Sequence, residues 1–140
     1  MHLTEHEVTG DKVALRALKD AQALAPQLVA AAQGQYDAWD EADDDTFAGG
    51  GICHLIADGL VSVLAAAAVE ACAVSSMHEQ HVYVVCQLQD GVYMLDIPYS
   101  LYEVGAGYSW QKLPDVKFTS DFLVWTRLDA NPDAYEQYVD

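Results

Sequence analysis

Basic residues are scarce. Six Lys and Arg stand against 22 Asp and Glu, a formal net charge of −16. A surface this negative repels phosphate backbones and anionic lipid. Non-specific nucleic-acid binding is excluded; a nucleic-acid mimic that fills a partner's basic cleft is not. Long apolar runs are missing too: nothing approaches the roughly 18 consecutive apolar residues that read as a membrane span, so no membrane partner is expected. Cysteine is sparse and odd in number, with Cys53, Cys72 and Cys86. A secreted disulfide framework needs more thiols in a shorter chain. The opening MHLTEHEVTGDK has neither the basic start nor the apolar core of a secretory leader. The expected compartment is a reduced cytoplasm, with a thiol free for chemistry.

What is present is enough for one folded domain. The chain has 140 residues, 52% of them hydrophobic, so a core can form and general disorder is excluded. Asp outnumbers Glu by 15 to 7 and Ala is frequent. That bias suits a salt-adapted host or GC-rich codons equally, and neither bears on activity.

Between Asp11 and Gln33, apolar residues recur at helical spacing through Val13, Ala17, Ala21, Leu24 and Leu28. Pro26 is expected to kink or split this run, and Gly34 to end it. An acidic run with Asp43, Asp44 and Asp45 leads to the triple glycine Gly49 to Gly51 and reads as a solvated loop. It lacks calcium-loop spacing. Ile52 to about Val69 is the most apolar stretch, with His54, Asp58 and Ser62 on one stripe. It reads as a helix buried on most sides. The period then changes. HVYVVCQLQ, Asp90-Gly91 and VYMLDIP form a hairpin pattern that stops at Pro98. A loop-rich segment follows, then a third strand, DFLVWTRL from Asp121. The expected class is α+β, with N-terminal helices and a buried apolar helix on a small antiparallel sheet. Within the single domain 1–140, residues 1–48 are the helical region and acidic loop, 49–128 the core, and 129–140 an acidic tail.

Three residues carry chemistry by position. Cys53 follows the glycines and opens the apolar helix; His81 opens the first hairpin strand; Asp96 lies near the end of the second. A thiol in a helix's first turn feels the positive end of the macrodipole, which favours thiolate. Unpartnered first-turn N–H groups, that of Cys53 among them, can face an oxyanion. A nearby imidazole can take and return the proton, and a carboxylate can orient it. A two-residue turn at Asp90-Gly91 sets His81 opposite residue 100 and Asp96 opposite Val85. His81 and Asp96 are then four ladder positions apart, and a bulge, a longer turn or the break at Pro98 must bring them together.

These residues resemble the transglutaminase-like group of papain-like cysteine hydrolases. GGICHLIADGLVSVL is similar to that group's nucleophile helix, with Gly51, Cys53 and Ala57 at matching positions. HVYVVCQLQDGVYMLDIP is similar to its second and third blocks, through His81, Asp90-Gly91, Tyr93, Asp96 and Pro98. The match covers about residues 49–98. It departs where the usual HAW is His81-Val82-Tyr83, and where the connection from Cys53 to His81 is short. The resemblance implies acyl chemistry through a Cys53 thioester, with His81 as base and acid and Asp96 orienting it. The substrate is then a peptide, isopeptide, amide or acyl group. Gln35 and Trp39 are the implied candidates for a second oxyanion donor, and no metal or cofactor is required.

Other features read more plainly. Cys72 and Cys86 are small core residues, and His54 points away from Cys53, since helix neighbours in sequence do not face each other. His78 and His81 lack the spacing of a helical zinc motif, though zinc held by Cys53, His78 and His81 is conceivable. Tyr99, Tyr102, Tyr108 and Trp110 either wall a substrate cleft or pack on the sheet. The alternative to an enzyme is an acidic binding or inhibitor protein that occupies a basic cleft, and a protein partner fits that reading.

Overall fold

Two stretches of helix and one sheet carry the fold. The computed structural model describes residues 2–3, 10–39, 51–76, 81–97, 103–104, 110–111 and 116–128. In chain order these form β1 (His2–Leu3), β2 (Gly10–Lys12), α1 (Lys19–Ala38), α2 (Gly51–Ala66), β3 (Ala71–Ser76) and β4 (His81–Leu88). There follow β5 (Gly91–Asp96), β6 (Glu103–Val104), β7 (Trp110–Gln111) and β8 (Val124–Leu128). The class is α+β. The main sheet has six strands in the order β1-β3-β4-β5-β8-β2; β6 and β7 pair separately. β1 joins β3 in parallel, and the other pairings of the main sheet are antiparallel.

Several expectations change here. The first helix does not start at Asp11. Residues 10–12 pair with β8 as an edge strand, so tertiary pairing overrides a helical pattern. α1 then runs unbroken through Pro26 and Gly34 to Ala38. Pro26 and Gln22 both lie on the exposed side, where solvent can satisfy the carbonyl that loses its donor. The second helix ends at Ala66 rather than Val69, and after a four-residue turn β3 begins at Ala71. That strand, ACAVSS, is too rich in small residues to announce itself.

Alternation along the strands sorts the side chains. Val82, Val84, Cys86 and Leu88 of β4, with Tyr93 and Leu95 of β5, join the helices in the main core. Tyr83, Val85 and Val92, with Cys72, Val74 and Leu128, form a smaller cluster on the other face. From α2, Ile52, Ile56, Leu60 and Leu64 enter the main core; from α1, Ala21, Ala25, Leu28, Ala32 and Tyr36 do. These are the three- and four-residue spacings of a buried helical stripe.

α1 meets α2 at Gly59. A methyl group there would lie 3.1 Å from Cγ of Gln35 and 3.5 Å from the carbonyl oxygen of Ala31. The glycine permits this approach at the cost of about 1 kcal/mol of helix propensity. Farther along α1, Gln33 fastens the chain that leads into β8. Its amide nitrogen donates to the Val116 carbonyl at 3.0 Å, and its amide oxygen accepts from the Phe118 N–H at 2.7 Å. The Phe118 ring packs at 5.4 Å from both Tyr36 and Phe122.

The Gly59 crossing gives a direct check. Gly59→Leu is expected to lower the unfolding free energy by about 1–3 kcal/mol in urea titrations. Gly59→Ala should stay within about 1 kcal/mol, because propensity gained offsets the contact with Gln35. A Gly59→Leu protein as stable as the parent contradicts the close approach.

Candidate thiol site

Cys53 is the third residue of α2. It lies on the buried stripe that continues through Ile56, Ala57 and Leu60, and it is only 4% exposed. Its backbone N–H belongs to the first helical turn, where such groups have no intrahelical acceptor. The stripe faces β4 and β5 across a small cavity of about 10 Å³, lined by Cys53, Ile56, Leu60, Val82, Leu95 and Asp96 among others. That volume is at the lower bound for one water molecule. Cys53 and Asp96 therefore line one cavity from opposing sides, one on α2 and the other on β5.

The hairpin register differs from the expected one. The turn residues are Gln89 and Asp90, and Gly91 is already the first residue of β5, paired with Leu88. Gly91 has φ +156°, which an L side chain rarely adopts. Pairing runs from Leu88↔Gly91 to Val84↔Leu95. One further step sets Asp96 level with Tyr83, so its ladder position is two residues from His81 rather than four. The shift halves the separation with no bulge. Asp96 is half-buried, and its Oδ1 accepts from the N–H of Ile97 at 2.8 Å.

His81 is the first residue of β4 and pairs with Ser76 of β3. Its position has the strand parity of Tyr83 and Val85, which pack in the smaller cluster. The neighbouring Val82 and Val84 line the cavity beside Cys53. The structure thus brings Cys53 and Asp96 to one cavity, and sets His81 two ladder positions from Asp96, both at the strand parity of the face away from α2.

The remaining candidates separate. Gln35 packs against Gly59. Trp39 is buried at the end of α1, its ring 6.2 Å from that of Tyr36. Neither lines the cavity. His54 forms an ion pair with Asp58, Nε2 to Oδ2 at 3.2 Å, on the partly exposed side of α2. Tyr93 is a turn fastener: its hydroxyl donates to Asp90 Oδ2 at 2.8 Å, and Arg127 donates to the Asp90 carbonyl at 2.8 Å. Asp43 to Asp45, His78, Tyr99, Tyr102, Tyr108 and the acidic tail lie outside the described residues; Trp110 lies in β7. Among the described residues, no three His, Cys, Asp or Glu side chains converge as metal ligands. Among them, too, no helix is long and apolar enough to cross a membrane. The cavity walls Val82, Leu95 and Ile97 escaped the sequence reading. Only the stripe of α2 was legible, through the spacing of Cys53, Ile56, Ala57 and Leu60.

Comparison with protein-family models, with curated proteins and with solved structures finds no match for this chain.

The other two thiols are held protonated. Burial pushes Cys86 up to about 12, and Cys72 beside it adds to the effect. Burial pushes Cys72 up to about 11. Tyr93 is raised to about 12, first by burial and then by its hydrogen bond to Asp90. Above about pH 9 the unfolded chain sheds protons that the folded chain keeps, so stability is full below that pH and falls between about pH 9 and 12. Urea midpoints should decline over this window, and less steeply in Cys86→Ala. A flat profile contradicts the burial of these groups.

Proposed function

We propose that the chain is a papain-like thiol hydrolase or acyltransferase of a reduced cytoplasm. It acts on a peptide, isopeptide, amide or acyl group. Cys53 attacks the substrate carbonyl, His81 takes the thiol proton and gives it to the leaving group, and Asp96 orients His81. The Cys53 N–H, in the first turn of α2, serves the oxyanion.

The observation that carries this reading is that Cys53 and Asp96 line one cavity between α2 and the ends of β4 and β5. The order helix, strand, strand and the two-residue ladder offset of His81 from Asp96 support it. A second reading draws on two other observations. The parity of position 81 is that of the face away from α2, and the net charge is −16. Both favour a non-catalytic acidic protein that fills a basic cleft, whose binding collapses as salt rises.

Alkylation by iodoacetamide, followed site by site with mass spectrometry, separates the two. At about pH 6, Cys53 of the folded protein should react ahead of Cys72 and Cys86. His81→Ala should slow it by about tenfold or more, the thiolate lost over one pH unit. Slow alkylation of Cys53 that ignores His81→Ala favours the acidic binding protein.

A further inference from the structure

The cavity beside Cys53 says what kind of group can sit there. Its walls are mostly aliphatic, with Ile56 and Leu60 from α2, Val82 from β4, Leu95 from β5 and Ile97 just beyond it, beside Tyr83. Among the described residues, the acidic one in the lining is Asp96, whose strand position has the parity of the sheet face away from α2. A charged group buried here would be desolvated without a counter-charge. The space, about 10 Å³, admits a group near the size of one water molecule. A longer chain must push apart two elements whose facing side chains are buried, Leu60 at 1% and Leu95 at 0% exposure, and close-packed interiors resist such overpacking.

We infer that the acyl group Cys53 takes up is short, aliphatic and uncharged, with acetyl the best fit because only its methyl group, near the size of one water molecule, has to enter the cavity. This rests on the reading of Cys53 as a nucleophile. With a p-nitrophenyl ester as donor, Cys53 Sγ bonds to the ester carbonyl carbon and the bond from that carbon to the phenolic oxygen breaks. The thiol proton leaves with the departing p-nitrophenol. Water then attacks the thioester carbonyl, the carbon–sulfur bond breaks, and the carboxylic acid departs as the thiol is restored.

The test uses the full chain with p-nitrophenyl acetate, hexanoate and hemisuccinate. Acylation of Cys53 is followed by intact mass and peptide mapping. Each rate is divided by that of N-acetylcysteine with the same ester, which removes intrinsic ester reactivity. The acetyl rate should exceed the hexanoyl and succinyl rates by about tenfold or more, the discrimination typical of an apolar pocket. Leu60→Ala, which widens the cavity, should shift the preference toward hexanoyl. Ala57→Val, which fills it, should slow acetylation while iodoacetamide still labels Cys53. A flat preference, or no acylation by any ester, overturns the inference. The reading of Cys53 as a nucleophile falls with it only where the His81-dependent alkylation is also missing.

Discussion

The packing of one apolar helix stripe against two strands governs this molecule. Ile52, Ile56, Leu60 and Leu64 of α2 share a core with Val82, Val84 and Leu95. Full burial of such side chains stabilises by about 1.5–3 kcal/mol each, so the placement of α2 against β3, β4 and α1 is a large local term. Cys53 lies on that same stripe. The contact that holds the core therefore also fixes the thiol at the helix start, above the end of the hairpin. Gly59 lets α1 close over the outer side of α2.

The hairpin is held at its far end by a different set of contacts. Asp90 accepts from Tyr93, its backbone carbonyl accepts from Arg127, and the Arg127 guanidinium lies 5.9 Å from the centre of the Tyr93 ring. These contacts join β5 and β8 to a turn that begins one residue earlier than an Asp-Gly motif suggests. The consequence reaches the other end of the ladder, where Asp96 gains two positions on His81. Register is transmitted without loss along a paired strand, so a turn residue on one end sets the geometry of the candidate site on the other.

Much of this was legible in the residues, and the failures have physical causes. α2 was recognisable because its apolar content leaves few alternatives, and β4 and β5 because β-branched and aromatic residues flank a turn. β3 was missed because Ala71, Ala73, Ser75 and Ser76 carry little strand preference. β2 was hidden because three residues become a strand only by pairing with β8. The turn was misplaced by one residue: Asp90-Gly91 suits a two-residue turn, yet Gly91 takes the first strand position with its unusual φ. At the site, Cys53 and the stripe below it follow from helical spacing. The opposing wall, Val82, Leu95 and Ile97, depends on a register no local pattern specifies.

The central proposal is that Cys53 and His81 act as a pair. A short bifunctional alkylator, 1,3-dibromoacetone, measures this most directly, since its three-carbon bridge joins only adjacent side chains. After reaction with the folded chain, peptide mapping should find Cys53 linked to His81, and Asp96→Asn should reduce the yield by loosening the imidazole. A product attached at Cys53 alone, or bridged from Cys53 to another residue such as His54, contradicts the account.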